Sequence, residues 1–123
     1  MRRAGDLAAL LRLASLERDR RLQALHEAGA ARAVTLAALA ELGASELEAQ
    51  DAARRDGSPA VQHCAERFHH WIHARKAALH PALARETATW LEARAAAAAA
   101  EGRREVLDRL VSRQRAESLR RQD

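Results

Sequence analysis

Asp56-Gly57-Ser58-Pro59 is the stretch that decides the fold. Gly57 has no Cβ and suits a left-handed helix C-cap. The Ser58 hydroxyl suits an N-cap. Pro59, with no N–H to satisfy, suits the first position of a new helix. Upstream, residues 4–54 contain no proline; downstream, only Pro81 interrupts the run to 120. One helix therefore ends near 55 and another begins at 59, and so short a connection folds them back antiparallel. The predicted fold is all-α, one domain over 1–123. Two long helices, about 4–55 and about 59–120, form an antiparallel coiled-coil hairpin around a turn at 56–58.

Apolar residues outward from the turn agree with this plan. In the first helix Leu7, Leu10, Leu11, Ala14, Leu22, Leu25, Leu36, Leu39, Leu42 and Leu47 recur at helical spacings. Leu25, Leu36 and Leu47 are eleven apart, as are Leu11 and Leu22, which predicts a nearly straight or slightly right-handed contact line. Gly29 and Gly43 weaken this helix, each by about 1 kcal/mol relative to Ala, and 43–46 is a candidate bend. In the second helix, alternating steps of three and four run from Ala65 through 69, 72, 76, 79, 83, 86, 90, 93, 97, 100, 104 and 107 to 111. Ten of these fourteen positions are Ala, Ile, Leu, Val or Trp; the exceptions are His69, Lys76, Glu86 and Arg104. Pro81 is expected to kink this helix. Ala95 to Ala100 favours helix and lets backbones approach closely.

Composition limits what such a chain can do. Of 123 residues, 31% are charged, and the aromatics are Phe68, Trp71 and Trp90 alone. With so few large side chains, buried contact has to be Ala and Leu along a thin seam. The net charge is +4, spread unevenly. Seven Arg face four acids in 1–35, seven face five in 101–123, and 36–60 is acidic. The signs are interleaved, which reads as a solvated, salt-bridged surface rather than a basic block. No apolar run reaches the roughly 18–20 residues of a membrane span. The N-terminal apolar stretch is too short and too charged for a secretory signal. The single Cys64 fits a reducing compartment. A cytoplasmic location is expected.

Few residues suggest chemistry. Glu66-Arg67-Phe68-His69-His70-Trp71-Ile72-His73 contains one Glu-x-x-His pair. A helical di-iron site needs a second such pair and further carboxylates. A zinc site needs ligands from the first helix, which offers only His26. The serines and Cys64 have no triad context, and no Gly-rich phosphate loop is present. No catalytic residue, metal or cofactor is therefore expected. Phe68, Ile72 and Leu79 sit at core-like spacing, with Trp71 turned by about 100° from Ile72. Trp71 is either packed near the turn or exposed as an anchor for a partner.

The chain resembles the flagellar FliJ-type proteins of bacterial type III export, which are related to the YscO-type stalks of injectisomes. The two-helix plan, the opening Leu7-Ala8-Ala9-Leu10-Leu11-Arg12-Leu13-Ala14-Ser15-Leu16-Glu17, the segment Arg67 to Leu79 and the tail Glu105 to Glu117 carry the resemblance. It implies a non-enzymatic stalk. The paired terminal helices would enter the hexameric export ATPase ring, and the chain would contact the cytoplasmic domain of the export gate and escort chaperones. This would occur on the cytoplasmic side of the inner membrane at the flagellar base, through protein partners. Matched onto this chain, Phe68 and Trp71 are the family's paired aromatics and, with Ile72 and Arg75, the expected gate-binding residues. The family often has an aliphatic residue where Arg75 stands. Leu107, Arg109, Leu110 and Arg113 are the expected ATPase-binding residues. Two other readings of the residues stay open: a coiled-coil scaffold or adaptor outside secretion, and a basic nucleic-acid-binding protein tracking phosphates with its terminal arginines.

Overall fold

A computed structural model describes residues 2–122, with side chains from residue 4 onward. The chain forms α1 (Arg2–Arg55) and α2 (Pro59–Gln122), packed against each other as an antiparallel hairpin, with no strand among the described residues.

The turn is closed by side chains. Ser58 acts as the N-cap of α2: its hydroxyl accepts from Val61 N–H at 3.3 Å and its carbonyl from Gln62 N–H at 3.1 Å. Asp56 Oδ1 accepts from Ser58 N–H at 3.0 Å, fixing the reversal. Gln62 Nε2 donates to Ala53 C=O at 2.8 Å, occupying one of the carbonyls left open at the end of α1. Gly57 does not take the left-handed conformation expected of it; no described residue has positive φ. The open end of α1 is served instead by Gln62, which removes the need for a left-handed cap.

The helices contact one another as two compact units. One pairs α1 up to Ala28 with α2 from Trp90. Its seam holds Leu7, Leu11, Ala14, Arg18 and Leu25 against Trp90, Ala93, Ala97, Ala100, Arg104, Leu107 and Val111. Ala97 and Ala100 are almost wholly buried, so the alanine run is a contact surface. The other unit, Gly29–Thr89, contains the turn. Its seam joins Arg32, Thr35, Leu39, Leu42, Glu46, Ala49 and Ala53 to Ala65, Ile72, Lys76, Leu79, Leu83 and Glu86. Ile72 is 0% exposed.

In α2 the seam follows the predicted three–four series, and His69 is its one exposed member. In α1 the seam follows a seven-residue repeat, Leu11-Arg18-Leu25-Arg32-Leu39-Glu46-Ala53 with Ala14, Ala28, Thr35, Leu42 and Ala49, not the eleven-residue one. Leu22, Leu36 and Leu47 lie outside it, Leu47 at 64% exposure. The leucine count misleads because four seam positions are polar.

Neither Gly43 nor Pro81 ends its helix. Pro81 and Ala77, whose carbonyl loses its donor, are both exposed, so water can serve that carbonyl. A Cβ added at Gly43 or Gly57 meets nothing within 4 Å. Gly57→Ala and Gly43→Ala should therefore each stabilise the hairpin, by about 0.4–1 kcal/mol. A rise in thermal midpoint checks this, and a fall for Gly57→Ala would mean that Gly57 does adopt positive φ.

Candidate functional site

The exposed residues with most to offer a partner flank the seam in the turn-containing unit. Ile72 locks into the seam and sets the rotation of α2. Trp71, one residue earlier, is thereby turned outward and is 57% exposed. Its ring stacks on Phe68, with centroids 6.0 Å apart and planes 15° from parallel. Phe68 is half-buried beside the seam and Arg75 is exposed. With Leu79 they form one wall of an open groove of about 410 Å³, whose other wall is Ala38, Glu41, Leu42 and Ser45 of α1. The small Ala38 and Ser45 make the room. Of the four residues expected to bind the export gate, Phe68, Trp71 and Arg75 line this groove. Ile72 does not: it is wholly covered by the hairpin and acts by holding Trp71 outward.

Polar residues of the seam are paired, most of them across it and Arg104 with Glu101 of its own helix. In the turn-containing unit Glu46 takes Lys76 at 3.0 Å and His69 Nδ1 at 2.7 Å on its two oxygens. Thr35 donates its hydroxyl to the Glu86 carboxylate at 2.6 Å, and Arg32 Nε donates to the Thr87 hydroxyl at 3.1 Å. In the terminal unit Glu101 binds Arg104 at 2.9 Å and Arg18 at 3.3 Å, and Arg103 reaches Glu17 at 2.9 Å. No buried side-chain polar atom among the described residues lacks a partner. The Glu46 carboxyl is held below its ordinary pKa by its hydrogen bonds from Lys76 and His69. Glu101 is lowered chiefly by Arg104.

His69 thus turns to Glu46 rather than pairing with Glu66 around a metal. Its ring also lies 5.9 Å from that of His73. Among the described residues no group of three or more His, Cys, Asp or Glu is set to hold a metal ion. Cys64 is exposed.

The four residues expected at the ATPase divide between seam and surface. Leu107 is half-buried in the seam, Leu110 is 40% exposed, and Arg113 is exposed. Arg109 is exposed and 3.7 Å from Glu105 one turn earlier. The α1 wall of the aromatic groove, Ala38, Glu41 and Ser45, escapes sequence reading. A seven-residue frame for α1 would have found it, since these positions flank seam residues 39 and 42. No described helix is long and apolar enough to cross a membrane. Compared with protein-family models, curated proteins and solved structures, the chain matches none.

Because folding lowers the Glu46 pKa from its ordinary 4.5, the Glu46 contribution to stability is full above that pH. It is lost as the pH falls through the folded value. Denaturation midpoints measured from pH 7 to pH 3 should therefore fall, and Glu46→Gln should flatten part of the decline. Parallel curves for the two proteins would show that the Glu46 cluster adds nothing.

Proposed function

We propose that this chain is a non-enzymatic, protein-binding coiled-coil hairpin that serves as a stalk in bacterial flagellar type III export. It binds the export ATPase ring and the cytoplasmic domain of the export gate, and escorts chaperones. It works on the cytoplasmic face of the inner membrane through those partners. The observation that carries the reading is the outward Trp71 stacked on Phe68, in a chain with only three aromatics. A half-exposed Trp braced by a second ring gives a partner a large, rigid anchor at small entropic cost. Arg75 and Glu41 on opposite walls of the groove supply charges of both signs at its rim. The resemblance over residues 7–17, 67–79 and 105–117 gives the partner its identity.

On this reading Phe68, Trp71 and Arg75 meet the gate while Leu110, Arg109 and Arg113 face the ATPase. Interleaved charges suit contact with several subunits of a ring in turn, because exposed pairs tune the rate of association more than its strength. Purified chain mixed with the flagellar export ATPase of the same organism should give a complex of about one chain per hexamer and faster ATP hydrolysis. Light scattering and phosphate release read the two outcomes. Folded proteins that neither associate nor change the rate would leave a hairpin scaffold outside secretion.

Trp71→Ala should weaken gate binding by about 30-fold, equivalent to about 2 kcal/mol, with helix content unchanged. Ile72→Ala should act first on the fold, costing about 2–5 kcal/mol of stability through the cavity it leaves. Calorimetric titration against the gate domain, alongside thermal melts, separates the two. Equal gate affinity for wild type and Trp71→Ala would remove the aromatic groove from the site.

A further inference from the structure

The terminal unit carries a second unpartnered face. Leu13 and Leu16 of α1 are 63% and 61% exposed, and Leu10 is 48% exposed. Their arrangement is symmetric. Asp6, Leu13 and Arg20 are each seven residues apart and form one line along α1. Leu10 and Leu16 flank that line, three residues before and after Leu13, rotated about 60° to either side. The pattern Asp-x3-Leu-x2-Leu-x2-Leu-x3-Arg thus maps onto itself when the helix is reversed about Leu13, except that its two ends carry opposite charges. Asp6 and Arg20 are exposed, and neither makes an ion pair among the described residues.

We infer that this ridge is an interface for a second copy of the chain, packed antiparallel about a twofold axis at Leu13. A twofold contact requires a surface complementary to itself. Here Leu13 meets its own counterpart, Leu10 meets the second copy's Leu16, and Asp6 meets the second copy's Arg20, each contact occurring twice. α2 widens the patch on one side. The Glu17–Arg103 bridge brings the two helices into register there. Leu110, seven beyond Arg103, consequently lies beside Leu10, seven before Glu17, and Val106 sits on the same flank at 54% exposure. The inference stands independently of the export reading, since it concerns the chain alone. Three leucines make a patch small beside the ~800 Å² per partner of a standard interface, which marks the contact as a weak one, to be sought at roughly 10–100 µM chain.

Sedimentation velocity on the full chain over that range should show monomer passing to dimer. Leu13→Glu places two carboxylates at the axis and should weaken association by at least ~30-fold, with helicity intact because Leu13 is exposed. Asp6→Arg alone and Arg20→Asp alone should each weaken it, and the double reversal should restore it. Leu13→Cys on a Cys64→Ser background should cross-link to itself on oxidation. A wild type that stays monomeric throughout overturns the inference. So does a dimer indifferent to Leu13→Glu, or one that the double charge reversal fails to rescue.

Discussion

Everything in this hairpin depends on polar side chains that meet across a seam too thin to specify itself. A line of Ala and Leu offers nearly equal packing at several registers, since one alanine fits where another did. Arg18 against Glu101, Thr35 against Glu86, and Glu46 against Lys76 and His69 remove that freedom. Sliding one helix by a turn would leave a carboxylate or a hydroxyl facing methyl groups, at the cost of an unsatisfied, partly buried polar group. The apolar residues supply most of the attraction, and the polar ones select one alignment, as a polar core position does in coiled coils generally.

That alignment is what builds the surface. Ile72 can enter the seam fully only when α2 is rotated so that Trp71 faces outward, and the register of α1 decides that Ala38 and Ser45 stand opposite. A larger residue at either position would fill the groove. The aromatic pair is thus positioned by residues that never touch a partner, and the groove is a product of both helices rather than of the sequence around Trp71.

The turn and the contact line of α2 were legible because each rests on local chemistry. The cap at Ser58 and the helix start at Pro59 are read from four adjacent residues, and the three–four series from Ala65 to Val111 needs only counting. The contact line of α1 was not legible from its leucines. Leu36 and Leu47 are exposed while Arg32, Thr35 and Glu46 are sheltered, and those polar residues are admitted only because partners wait on α2. Pairing between residues 23 to 55 positions apart leaves no local signature. Gly57 misled for a related reason: the carbonyl a left-handed cap would serve had already been given to Gln62.

The side-chain lock at the turn also bears on how the chain comes together. Gln62 and Ala53 are separated by 9 residues, whereas Glu17 and Arg103 are separated by 86. Closing the longer loop from an open chain costs about 2 kcal/mol more in entropy than closing the shorter one. If the turn forms first, each later pair closes only the few residues beyond the last, and the helices zip from the turn toward their ends. The register chosen by Glu46 and Thr35 is then passed outward, so the order of assembly protects the alignment that an alanine seam alone would leave open.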